Sequence, residues 1–304
     1  MGRLRFSLAP RRLFRTDFAA EWAGVVIVSL LAALWALSIG FSLTAHWHDL
    51  LLFALSLAAL LVVRALMVEK LNLIVEYFLL TLLATTAFGV LSYLSMTTER
   101  PLVDDVLMAA DRAIGFDWLA GYRILAAHHT LEVILQFAYN SLIYQGLYFG
   151  VLFGLMGKRQ NLREMFWLVF AAGLLTSAGA ALFPAFGPFK TFHMSAEFLP
   201  TMEQLHGGAR HFELAKLTGV VSFPSFHTTM ALLYIYAYSR AGVIGWAVAA
   251  LNLLMLFAIP FFGGHYLVDM IAGGAVALAS LAIVRAWPRM AAGTAPVADG
   301  IVLN

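Results

Sequence analysis

Long apolar runs broken by short polar strings set the pattern of this chain. A helix that crosses a bilayer needs about 20 mostly apolar residues. Eight stretches meet that need: residues 20–44, 49–68, 71–95, 130–156, 163–185, 225–241, 243–262 and 266–287, the sixth being the shortest. Only Glu69-Lys70 separates the second from the third, which predicts a tight hairpin. Two long polar segments interrupt the series, 96–129 and 186–223. In the first, Leu102, Val103, Val106, Leu107, Ala110 and Ile114 recur at helical spacing opposite Asp104, Asp105, Asp111 and Arg112. That pattern predicts a helix lying on the membrane surface. A helix packed over the mouth of the bundle fits it equally.

Composition agrees with this reading. The chain has 304 residues, of which 62% are hydrophobic and 12% charged, whereas a soluble domain is nearer half apolar and a quarter charged. One integral membrane domain is expected, without a soluble domain or a repeat. The absence of cysteine excludes disulfides and thiolate metal sites. The net charge of +2 says little about partners, but the placement of charge says more. Arg3, Arg5, Arg11, Arg12, Arg15, Lys70, Lys158, Arg159, Arg163, Arg240, Arg285 and Arg289 fall on one side of the spans. Arg100, Arg112, Arg123, Lys190, Arg210 and Lys216 fall on the other, in longer segments. The positive-inside rule puts the first set in the cytoplasm. With an even number of spans, both termini are cytoplasmic. The N-terminal string MGRLRFSLAPRRLFRTDF precedes a span of full length and shows no small-residue cleavage site, so it reads as a basic anchor with a retained first span. Arg64 is expected to snorkel to the inner face.

Candidate chemistry gathers in two strings, both at the outer ends of spans. Phe223-Pro224-Ser225-Phe226-His227 opens the sixth, and Gly263-Gly264-His265-Tyr266-Leu267-Val268-Asp269 opens the eighth. His265 and Asp269 are four apart, a spacing that puts them on one face of a helix. A carboxylate there fixes the imidazole tautomer and stabilises the cation formed when the other nitrogen attacks. Pro224 and Ser225 suit a helix start, and the amides of that end favour an anion. His227 beside them suits a general acid. An aspartate in a span without a role would be costly. Lys190 and Arg210, in the outer segment just ahead of His227, are candidate phosphate ligands with Ser225. Tyr139, Asn140, Tyr144 and Gln145 are polar residues within the fourth span; they form a candidate head-group pocket, and hydrogen bonding between helices without a ligand fits them equally. No zinc string, phosphate-binding glycine loop or nucleic-acid footprint is present, so no metal or cofactor is expected.

Pro-Ser-x-His followed on the same face by His-x-x-x-Asp resembles the type 2 phosphatidic acid phosphatase superfamily. The resemblance covers roughly the last 120 residues. It implies that His265 is the nucleophile, Asp269 its partner and His227 the acid, and that no metal is needed. This chain departs from the pattern in three places. Phe226 stands where the family has glycine. Ala258 and Ile259 stand where it has Ser-Arg. The Lys-x6-Arg-Pro string is absent, since counting from Lys190 reaches Glu197-Phe198. Similar losses mark the branch that includes inositol phosphorylceramide synthase. Leu182-Phe183-Pro184-Ala185-Phe186-Gly187-Pro188 resembles that branch, and DDVLMAADRAIGFDW is similar to its bacterial members.

The expected architecture is an all-α polytopic membrane protein with about eight transmembrane helices. It has a six-helix phosphatase-like core and an extracytoplasmic interfacial helix. The expected divisions are a cytoplasmic basic N-terminus (1–19), N-terminal transmembrane helices (20–95), an extracytoplasmic interfacial segment (96–129), a catalytic transmembrane core (130–287) and a cytoplasmic tail (288–304). The expected activity is metal-independent phosphoryl transfer from a membrane lipid through a phosphohistidine, in a bacterial inner membrane, with the site facing the periplasm or exterior. Water is the preferred acceptor. A transferase of the inositol phosphorylceramide synthase type, moving a substituted phosphate to a lipid hydroxyl, is the alternative, and a non-enzymatic lipid transporter is a second. The sequence does not set an oligomeric state.

Overall fold

The structure, a computed structural model, describes residues 16–66 and 68–286. The basic residues 1–15 and the tail 288–304, both expected in the cytoplasm, lie outside the described residues. Each of the eight apolar stretches contains a helix. In chain order the elements begin with α1 (Ala19–Ser38), β1 (Ser42–Thr44), α2 (Trp47–Leu66) and α3 (Glu69–Met96). Next come α4 (Asp104–Ala113), α5 (Trp118–Ala126), α6 (His129–Leu155) and α7 (Arg159–Leu182). The short α8 (Pro188–Thr191) and α9 (Leu199–His206), then β2 (His211–Glu213), lead to α10 (Phe226–Tyr238), α11 (Val243–Phe262) and α12 (Leu267–Ala286). Among the described residues the only sheet is a parallel pair of three-residue strands, with Ser42 opposite His211. The chain is an all-α polytopic membrane protein. Among the described residues six helices, α1, α2, α3, α7, α11 and α12, are long and apolar enough to cross a membrane. The other two expected spans differ in kind: α6 has 27 residues but carries the polar set around Asn140, and α10 has only 13.

Successive long helices alternate in direction. The segments 97–128, 183–225 and 263–266 therefore meet at one end of the bundle, with the strand pair beside them. Short α10 is the central element, in contact with α6, α7, α11 and α12. Around it α3 packs on α6 and α7, while α1 and α2 lie outside against α3.

Buried ion pairs fasten those outer helices at the opposite end. Arg163 Nε of α7 donates to Glu21 Oε1 of α1 at 2.8 Å, and Trp167 Nε1 donates to the same oxygen at 2.9 Å. Glu76 of α3, fully buried, accepts from Arg64 at 2.6 Å and from Trp22 Nε1 at 2.9 Å, and also from Thr16. The expectation that Arg64 snorkels to the inner face is thus corrected: it turns to Glu76 on the next helix. A carboxylate two turns into a span has no water to solvate it, so the guanidinium turns inward to pair with it.

Breaking one such pair leaves an uncompensated buried charge, which costs about 3–5 kcal/mol. Arg163→Met should therefore lower the melting temperature of the detergent-purified protein strongly. Glu21→Gln combined with Arg163→Met should recover most of the loss. Equal melting of the single variant and the native protein would contradict the pairing.

Candidate active site

The site is built where α10 and α12 begin. Ser225 caps α10, its fully buried hydroxyl oxygen accepting from the Thr228 amide at 3.3 Å and from Thr228 Oγ1 at 3.1 Å. This places His227 in the first turn. The two helices touch backbone to backbone. Ser225 N donates to the Asp269 carbonyl at 3.0 Å, Thr229 Oγ1 donates to the Gly273 carbonyl at 2.8 Å, and a Cβ at Gly273 would strike the Ser225 carbonyl. The first turn of α10 is thereby fixed against the first turn of α12. From α6, Tyr139 stacks flat on His227, with ring centroids 4.5 Å apart and planes within 10°.

His265 lies just before α12, in a turn made by Gly263 and Gly264, the latter at φ +63°. Its Nδ1 is 3.6 Å from Asp269 Oδ2. This pairing differs from the expected helical i, i+4 contact, because His265 is not helical and Asp269 Oδ2 is already engaged, accepting from Tyr266 N at 2.8 Å. That bond is the acidic half of a capping box: the third residue of the helix reaches back to the amide at its start. Gly263 leaves space on the other side of the imidazole, where a Cβ would sit 3.2 Å from Nε2. Burial is nearly complete, at 3% exposure for His265 and 0% for Asp269. Desolvation dominates the imidazole's titration and holds its pKa down to about 4, against a smaller opposing effect of the Ser222 backbone. Neutral His265 is then the resting form near pH 7. When charged, His265 acts on His227, so the two rings lie near each other. Ser222 lies against this pair, its backbone near the His265 ring and its hydroxyl near the Asp269 carboxylate.

Sequence reasoning missed the residues that hold this mouth together. Asp104 Oδ2 accepts from Phe186 N at 3.0 Å and Oδ1 from Gly187 N at 2.7 Å. Asp111 accepts from Leu267 N at 2.8 Å and from Val268 N at 2.9 Å. Burial raises both carboxyls above their ordinary range, and the amide donors oppose the rise. Tyr266 OH joins Asp104 Oδ1 at 3.3 Å to Thr191 Oγ1 at 2.5 Å. Of the two placements expected for α4, the contacts are those of a helix packed over the mouth of the bundle, but its acidic residues do not all lie opposite the apolar ones. Asp104, Leu107 and Asp111 point inward, while Val106 and Ile114 are exposed. The readable signal was two aspartates seven residues, or two turns, apart.

The remaining candidates are divided. Lys190 forms an ion pair with Glu203 and lies 5.9 Å from the Phe186 ring. Arg210 donates to the carbonyls of Leu205 at 3.1 Å and Ala209 at 2.9 Å, closing the end of α9. No contact of either cation with the histidines is seen. Of the head-group set, Tyr139 meets His227, and buried Gln145 bonds Ser141 at 2.9 Å and Asn252 at 2.6 Å. Asn140 and Tyr144 are exposed on another side of α6, so they do not join the histidines. Ala258 and Ile259 are fully buried among apolar neighbours. Among the described residues no cluster of three metal-ligating side chains occurs.

A family model described as the PAP2 superfamily matches residues 105–283. The chain belongs to the PAP2 superfamily. Membership suggests a phosphatase-type function, and together with the six apolar helices it fits an integral membrane protein. Comparison with curated proteins found no match, and comparison with solved structures found none. The PAP2 match begins within α4 and ends within α12, so it includes Asp111 and both histidine strings.

Gly187 faces the same mouth at φ +89° and ψ 175°, a region open almost only to glycine, and a Cβ there would collide with the Gly264 carbonyl. Gly40 has φ +66° with nothing nearby. Gly40→Ala should cost about 1–3 kcal/mol, the backbone strain alone. Gly187→Ala should cost measurably more in thermal unfolding, and equal losses would show that the collision is absorbed without effect.

Proposed function

We propose that this PAP2 protein is a metal-independent lipid phosphatase that works through a phosphohistidine at the extracytoplasmic face. One observation carries the reading: a buried His265 facing the Asp269 carboxylate at 3.6 Å, on a helix start joined to the one that carries His227. In the first step His265 Nε2 attacks phosphorus, and the bond from phosphorus to the lipid oxygen breaks. His227 protonates that oxygen as it leaves. Asp269 stabilises the positive charge left on the His265 ring. In the second step His227 takes a proton from water, and the oxygen attacks phosphorus, breaking the P–N bond and freeing phosphate. Ser225 Oγ accepts two hydrogen bonds from Thr228, which leaves its own proton to offer to a phosphate oxygen.

The phosphate charge needs fixed donors. Lys190 is the stronger of the two cations. It follows Phe189, whose ring packs against the Gly264 position, and precedes Thr191, which bonds Tyr266. Arg210 is held by carbonyls at the end of α9. The positive-inside distribution of Lys and Arg supports cytoplasmic termini and an external site. A specific feature also favours a second reading. Apolar Ala258 and Ile259, with the near-sealed His265, suit a substituted phosphate of lower charge passed to a lipid hydroxyl.

The deciding experiment measures phosphate release from candidate phospholipids by the purified protein, with mass spectrometry of the lipid products. Free phosphate supports hydrolysis; a new phospholipid without free phosphate establishes the transferase. His265→Ala should lose several orders of magnitude in turnover while inserting and melting like the native protein. Near-native turnover in that variant would end the phosphohistidine mechanism. Activity should survive EDTA, and restoration by magnesium or zinc after a loss would count against it.

Lys190→Met should lower turnover by about 10²–10³. Arg210→Met should have a smaller effect and Arg112→Met none. In the free enzyme, protonation of His265 removes the attacking lone pair, so the acid limb of kcat/KM should have its midpoint at about 4. A midpoint at the ordinary histidine value would contradict the effect of burial.

A further inference from the structure

The reaction proposed above uses groups on α10 and α12, but the residues that fix their geometry lie on α4, outside both histidine strings. Asp104 and Asp111 are two helical turns apart and face the same way. Asp111 holds the amides of Leu267 and Val268, the second and third residues after His265. Asp104 holds the amides of Phe186 and Gly187 and meets the hydroxyl of Tyr266, the residue next to His265. The Gly187 segment in turn presses on Gly264, the residue before His265. A rigid ten-residue helix thus grips both walls of the turn that carries the imidazole. Leu107 between the two aspartates packs with Ala185 and Tyr266, completing the contact. These carboxylates do not reach the imidazole itself.

We propose that Asp111, with Asp104 as its companion, is a positioning residue. It sets the first turn of α12, and with it the attack direction of His265, from a helix on the surface of the bundle. The proposal takes the phosphohistidine reading as its ground. Two carboxylate oxygens satisfy the two helix-start amides at once, one oxygen for each. Without them the first turn of α12 is free to open, and the buried His265 becomes both misaligned and accessible. A misplacement of about 1 Å at a reacting group costs about 10²-fold in rate.

The test uses the full-length protein in detergent with mixed micelles of phosphatidic acid as the probe. Asp111→Ala should lower kcat by about 10²-fold with KM within about twofold of native, since no substrate contact is removed. Asp111→Asn retains one acceptor oxygen and should fall between the two. Val106→Ala, on the exposed side of α4, should match the native protein. Two readouts need no substrate. Hydrogen exchange at Leu267 and Val268 should accelerate in Asp111→Ala, and diethyl pyrocarbonate should modify His265 faster, as read by peptide mass spectrometry. Native kcat in Asp111→Ala overturns the proposal, as does unchanged exchange at those amides. If Asp111→Ala fails to fold, Asp111→Asn decides by the same measures. Absence of phosphate release by the native protein would instead overturn the phosphatase reading, and exchange and modification would still decide the role of Asp111.

Discussion

Three carboxylates hold five backbone amides at the mouth of this bundle, and the site depends on that arrangement. Asp104 takes Phe186 and Gly187, Asp111 takes Leu267 and Val268, and Asp269 takes Tyr266. Helix starts and tight turns expose N–H groups with no partner of their own. In water those groups would be solvated for nothing. At a buried membrane mouth they need acceptors from the protein, and acidic side chains supply two each. The consequence is a division between backbone and side chain. The amides of Tyr266, Leu267 and Val268 are each held by a carboxylate, while the His265 imidazole is left outside that frame.

The opposite end of the bundle uses charge for another purpose. There Glu21 and Glu76 each pair with an arginine and a tryptophan N–H on other helices. The Glu21 set joins α1 to α7, and the Glu76 set joins α1 and α2 to α3. Apolar packing alone gives little preference between a neighbouring helix and lipid, because both surfaces are equally greasy. A buried ionic contact has no substitute in lipid and therefore specifies which helix sits where. The central core achieves the same end with close backbone approach, as where Gly273 meets the Ser225 carbonyl.

Much of this was legible in the chain. The eight apolar runs all contain helices, because spans are written in length and apolarity alone. The two histidine strings stood out because His and Asp are rare at such positions. What was not legible was direction. The periodicity of α4 separates Leu107 from Asp105 correctly, yet it cannot say that Asp111 faces protein while Val106 faces outward. In a soluble protein the apolar face is the inner one. At a membrane surface the outer medium is itself apolar, so the rule loses its sign. The same ambiguity scattered the polar set of α6: Tyr139 turns to His227 and Gln145 to Asn252, while Asn140 and Tyr144 face away. Arg64 was misread because its partner, Glu76, lies on the next helix rather than on its own.

The shortness of α10 fixes how deep the chemistry lies. Thirteen residues give a rod of about 20 Å, against a hydrocarbon layer of about 30 Å. Its far end runs into Ser239 and Arg240, residues suited to the boundary. A straight helix whose far end sits at one boundary therefore leaves its start, and His227, about 10 Å short of the other. Under the proposed phosphatase reading, a phosphate that reaches His227 leaves the layer where mobile cations gather and screen. Its charge must then be balanced by the protein or by its own protons. A molecule tethered by acyl chains makes that descent with its tail already dissolved in the surroundings; a free phosphate ester would have to make it unaided.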